Sequence, residues 1–233
     1  MKDYMQPSAS PAAVGYADQD TRAKFIMRTY HHLFGSILLF VLIEVVLFKS
    51  GIAESMARAL MGTSWLFVLG AFMVVGWLAS HTAHRAVSKG AQYAALIGFV
   101  AAEAIIFVPL LYVANRFAPG AINSAAVVTM LGFTGLTAVA WFTRKDFSFL
   151  GAFLKWAFIL AVVAIVAGII FKFQLGVWFM VLMVGISGGA ILYDTSNILH
   201  HYPEDRHVGA ALSLFSSVML MFWYVLQLFL SRD

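Results

Sequence analysis

The 233-residue chain contains no cysteine and little charge: Lys, Arg, Asp and Glu together make up 11% of it. The missing cysteine removes disulfides, thiolate metal sites and cysteine nucleophiles together. Scarce charge excludes a soluble globule, which carries about a quarter charged residues. Proline is also rare, with five residues, and only Pro109 falls inside a long apolar stretch. There is no HExxH or phosphate-binding loop, so neither an enzymatic activity nor a cofactor nor a metal centre is expected.

What is present is apolar. Hydrophobic residues make up 62% of the chain and the mean hydropathy is +0.87, which points to one all-α, polytopic membrane bundle in contact with the lipid bilayer. Seven apolar segments, at 29–49, 63–80, 91–114, 122–142, 150–171, 176–199 and 208–230, each approach the ~20 residues that a membrane-crossing helix needs. Gly, Pro, Asn or charge punctuates most of the short connections, as in Lys49-Ser50-Gly51, Pro119-Gly120 and Tyr202-Pro203-Glu204-Asp205. Residues 1–28 lack apolar periodicity and carry Pro7, Pro11 and mixed charges, so they read as a flexible cytosolic tail ahead of a seven-helix domain over 29–233.

The net charge of +4 does not indicate a nucleic-acid partner, because the basic residues are scattered between apolar runs. Their distribution instead predicts orientation. With the N-terminus inside, Lys2, Arg22, Lys24, Arg28, Arg85, Lys89, Arg144, Lys145, Lys155 and Arg206 face the cytoplasm, ten in all. Lys49, Arg58, Arg116, Lys172 and Arg232, five in all, face outward. This bias places the N-terminus in the cytoplasm and the C-terminus on the periplasmic side.

Within the spans, ionisable residues are the functional candidates. Asp194 lies near the cytosolic end of the sixth, where Ser187, Ile191, Asp194 and Ile198 share one helical face. Gly185 and Gly189 form a GxxxG pair that admits a close neighbour. Lys155, early in the fifth span, and Arg144 are candidate charge partners of Asp194, although a lysine there also reads as snorkelling to the headgroups. Two further intramembrane carboxylates are Glu44 and Glu103. Glu103 lies six residues before Pro109, whose ring leaves a carbonyl of the preceding turn without its donor, so a polar path and a local packing compromise are both open. All seven histidines, His31, His32, His81, His84, His200, His201 and His207, fall near the cytosolic face. They read as interfacial residues or proton sensors, and the i, i+3 spacing of His81 and His84 is only a weak metal signal without a nearby Cys or matching carboxylate.

Three stretches carry a resemblance: Phe142-Thr143-Arg144-Lys145-Asp146-Phe147-Ser148-Phe149-Leu150-Gly151, the sixth-span run from Ser187 to His200 containing Leu192-Tyr193-Asp194-Thr195-Ser196-Asn197, and the closing Ser231-Arg232-Asp233. Together they resemble the Bax inhibitor (TMBIM) superfamily and its bacterial YccA-like branch. The resemblance implies seven helices with one central and wrapped by the others, in a bacterial inner membrane. It also implies two functions. In one, the protein modulates membrane-protein quality control through contact with the FtsH protease. In the other, it is a pH-sensitive leak pathway for Ca²⁺, gated by two aspartates that share a proton. Asp194 matches the first aspartate; Ser217 stands where the second is expected. A hydroxyl neither repels a carboxylate nor shares its proton in that way, so the two-aspartate switch is not expected in that form here.

Overall fold

The computed structural model describes residues 13–231. The first twelve residues of the expected cytosolic tail lie outside them. Among the described residues a single 3-10 turn, Val14–Tyr16, precedes eight helices: α1 (Gln19–Lys49), α2 (Ile52–Gly62), α3 (Trp65–Arg85), α4 (Lys89–Phe117), α5 (Ala121–Thr143), α6 (Leu150–Phe171), α7 (Gly176–His200) and α8 (His207–Leu230). Seven are long and apolar enough to cross a membrane, and the fold is an all-α, seven-span bundle.

Two differences from the sequence reading stand out. Helix α1 begins ten residues before 29, at Gln19, because Asp18 caps it: the Thr21 N–H donates to Asp18 Oδ1 at 3.0 Å. Residues 19–28 are therefore helical. The second difference is α2, a short helix between the first two spans. Gly51 takes a left-handed conformation, φ 77°, that turns the chain out of α1. The i, i+4 pair Ala53 and Ala57 then packs beside Val108 of α4, with Tyr112 close by.

Since successive spans alternate direction, the start of α1 and the α3–α4, α5–α6 and α7–α8 connections share one face. Contacts between these segments bear this out. Val14 N–H donates to Tyr202 O at 2.9 Å, Arg206 Nη1 to Ala86 O at 2.7 Å, and Lys89 Nζ to Asp205 O. Ala13 and Pro203 form an isolated antiparallel bridge, and Val14 is buried.

Burial is very uneven among the spans. Helix α8 buries 16 of its 24 residues and packs on α1, α3, α4, α5 and α7. Only Ala161 and Gly168 are buried among the 22 residues of α6, whose Phe153, Trp156, Ile159 and Leu160 are exposed. A lipid-facing helix gains nothing by hiding such side chains, whereas a central one must fit neighbours on all sides. Small residues make that fit possible. A side chain at Gly209 of α8 would place its Cβ 3.0 Å from the backbone oxygen of Ala83 on α3. At Gly185 of α7 it would meet open space, so only the Gly189 half of the expected GxxxG pair makes a contact, with Leu154 at 3.4 Å from such a Cβ; Gly188, with Leu136 at 3.3 Å, supplies the other.

Gly209→Val should therefore destabilise the bundle by about 1–3 kcal/mol by overpacking against backbone. Gly185→Ala should leave stability unchanged or raise it, by up to about 1 kcal/mol from helix propensity. Thermal unfolding of the two variants in a mild detergent separates these outcomes.

Candidate functional site

The conspicuous polar feature of the interior is built where α7 meets α8, the most extensively packed pair of helices. The face predicted for α7 is real: Ser187, Ile191, Asp194 and Ile198 are all buried. On α8, Ser213 and Ser217 are one helical turn apart and point to the same side. The two faces meet at a hydrogen bond in which Ser217 Oγ donates to Asp194 Oδ2 at 2.6 Å, with both residues buried. A charged or neutral carboxyl accepts this bond equally well in geometry, so the pair holds two core helices in register.

Neither candidate cation reaches the aspartate. Lys155 and Arg144 are exposed, and no hydrogen bond or ion pair joins either to Asp194. Arg144 instead sits in the left-handed conformation that ends α5. Lys155 is exposed on the surface of α6.

A second layer covers Asp194 on the side of the α7–α8 loop. Tyr202 OH donates to Ser213 Oγ at 3.2 Å and lies 3.1 Å from His84 Nε2, while His84 Nδ1 bonds Ser80 O at 2.7 Å. Burial, then the nearby Asp194 carboxyl, raises the Tyr202 phenol well above its ordinary range, so it stays protonated and able to donate. Sequence reading missed Tyr202 and Ser213. The only signal was that Ser213 precedes Ser217 by four residues.

A third layer fastens the α5–α6 loop to the end of α7. Asp146 accepts the Ser148 N–H at 2.8 Å and faces His201 Nε2 at 2.9 Å. The Phe147 N–H donates to Ser196 Oγ at 2.8 Å. Gly151, at the close of the same motif, leaves room for the Tyr193 ring, whose nearest carbon would lie 2.8 Å from a Cβ there. The first two motifs seen in the sequence are thus one packed unit.

The remaining candidates scatter. Glu103, on α4, is buried and makes no hydrogen bond or ion pair, yet it lines the same cavity as Asp194 and Ser217. Glu44 is buried in α1 with both carboxyl oxygens unpartnered and does not line that cavity. The histidines do not gather at one place. His81 packs on Trp77, His32 on Tyr93 and His207, and His200 bonds its own helix at Ser196 O. Among the described residues no three His, Asp or Glu side chains come together as a metal would require.

The cavity runs between α3, α4, α6, α7 and α8 and has a volume of about 1120 Å³. Its walls are chiefly aromatic and aliphatic, with Asp194, Ser213, Ser216 and Ser217 towards one end and Gln174 and Gln227 towards the other.

Fold and site together define a seven-span membrane protein with a carboxyl–hydroxyl pair buried between two core helices. The family model for inhibitor of apoptosis-promoting Bax1 matches residues 22–233, and the chain belongs to that Bax inhibitor family. Among curated proteins it is 36% identical over 108 residues to the modulator of FtsH protease YccA of Escherichia coli, covering 45% of this chain and 49% of that protein. It is 33% identical over 117 residues to the Arabidopsis thaliana protein LIFEGUARD 4, covering 48% and 47% of the two chains. To a vaccinia virus Golgi anti-apoptotic protein it is 25% identical over 180 residues, or 75% and 73%. The chain thus spans about half the length of YccA.

Two outcomes follow from the geometry. Ser217→Ala leaves a buried carboxyl without its donor and should cost about 1–3 kcal/mol in thermal unfolding. A change under about 0.5 kcal/mol would mean that the bond contributes nothing measurable. The second concerns Asp146, whose carboxyl is held at about 2 instead of the ordinary 3.8, chiefly by the Ser148 N–H. A folded-state value below the unfolded one stabilises fully above about pH 4, and the contribution is lost as pH falls towards 2. The unfolding midpoints of wild type and Asp146→Asn should therefore differ above about pH 4 and converge on acidification below it.

Proposed function

We propose that this protein modulates membrane-protein quality control by direct contact with an FtsH-type protease in a bacterial inner membrane, its N-terminus in the cytoplasm. The observation that carries this reading is the kinship with the modulator of FtsH protease YccA. The bundle is consistent with an action by contact. Helix α6 turns Phe153, Trp156 and Leu160 outward, a surface on which another membrane protein can pack. The Asp194–Ser217 pair has no imidazole within hydrogen-bond reach, so it lacks the base that would activate a serine nucleophile. The excess of basic residues at the helix ends that share a face with the start of α1 supports a cytoplasmic N-terminus.

A Ca²⁺ leak has less support. The partner of Asp194 is a hydroxyl, not a second carboxylate, so acid has no shared proton to redistribute across the pair.

Purification from a mild detergent should recover the protease with the protein, and overproduction should lengthen the half-life of a misassembled membrane substrate in pulse-chase. Unchanged turnover together with no co-purification would sink the proposal. In parallel, Ca²⁺ entry into vesicles carrying the protein should stay at the rate of empty vesicles; an entry that Asp194→Asn alters would restore the leak reading.

A further inference from the structure

The cavity beside Asp194 has a chemistry unlike the rest of the interior. Trp65, Phe72, Phe107, Trp223 and Tyr224 are among its walls, and Trp65 and Trp223 stack with ring centroids 6.2 Å apart. No Lys, Arg or His lines it, but two acidic residues do. Of these, Asp194 already has its serine. Glu103 has nothing: it is 6% exposed, and no hydrogen bond or ion pair reaches its carboxyl. A polar group withdrawn from water with no partner is costly, so a site holding one is incomplete. At 1.5 Å per residue, Glu103 lies roughly 20 Å along α4 from Lys89, within the hydrocarbon region, where water gives little help.

The volume, about 1120 Å³, matches or exceeds the ~300–1000 Å³ of ordinary small-molecule pockets. There is also a way in from the side. Helices α3 and α6 barely touch, and Trp77 and Phe158 on these two helices are cavity residues exposed to 64% and 48%. A molecule diffusing in the bilayer reaches this seam without crossing water.

The lining selects the occupant. An anionic headgroup would meet two carboxyls and no cation to offset them. A bare metal ion would find too few oxygens around Glu103 for its shell. An ammonium supplies up to three donors to the unpartnered carboxyl. The ion pair so formed with Glu103 has no net charge, and the aromatic faces add cation–π attraction to the ammonium. We propose that this cavity binds a single-chain amphiphile with a protonated amine head, the head seated on Glu103 and the aliphatic tail lying among the aromatic side chains towards Trp65. The site is independent of any contact with a protease and stands or falls separately.

The test uses the full-length protein in phosphatidylcholine nanodiscs, with dodecylamine as probe and dodecanol and dodecanoate as same-length controls. Dodecylamine should raise the unfolding midpoint saturably, and the two controls should leave it in place. Glu103→Gln should weaken the half-saturating concentration on the order of tenfold or more, since the ion-paired hydrogen bond is lost. Ala161→Phe, which fills the cavity while keeping Glu103, should abolish the shift and decides the matter if Glu103→Gln fails to fold. Equal shifts from all three probes, or an unchanged response in both variants, would show partition into the bilayer alone and overturn the proposal.

Discussion

Burial of α8 on all sides is the constraint from which the rest of the bundle follows. A membrane helix finds no hydrophobic advantage in leaving lipid for protein, so a central helix is held by close fit and by polar contacts. Helix α8 has both. Gly209 lets α3 approach at one end, while Phe215 and Phe222 fill space against Phe99 and Phe107 of α4 further along. The Ser217 hydroxyl adds a single directional bond to Asp194. The α7–α8 contact thus combines one short directional bond with an otherwise apolar interface, and the other neighbours of α8 pack around that pair.

Such an arrangement was partly legible from residues alone. The seven spans stood out because about twenty consecutive apolar residues have few other uses, and the inward face of α7 followed from helical spacing. What spacing does not reveal is which helix is central: α6 and α8 are both long and apolar enough to span, yet one buries two residues and the other sixteen. The difference lies in which small residues meet a partner, and that is a property of pairs of helices. The same reason misdirected attention to Gly185 and away from Gly188. Likewise α2 is too short and too polar to register as a span, and its Ala53 and Ala57 gain meaning only beside Val108.

The carboxyls give a sharper lesson. Asp194, Glu103 and Glu44 look alike as intramembrane acids, and the structure gives each a separate circumstance. Asp194 is bonded, Glu103 is unpartnered beside open space, and Glu44 is enclosed without a partner. The serine at position 217 was visible as a departure from the family pattern. That it donates to Asp194, rather than merely vacating an aspartate's place, was not.

The docking of the chain ahead of α1 has a mechanical consequence. Gly15 lies so close to the carbonyl of His200 that a Cβ would sit 2.7 Å from it, and Val14 hydrogen-bonds to Tyr202 across the same seam. Tension applied at the N-terminus would therefore be borne first by the α7–α8 connection, not by the long axis of α1. Tyr202 joins that connection to Ser213 and His84, so the load would pass directly to the layer that covers Asp194. A machine that grips proteins by their ends would, in this chain, be pulling on a handle tied to the middle of the bundle.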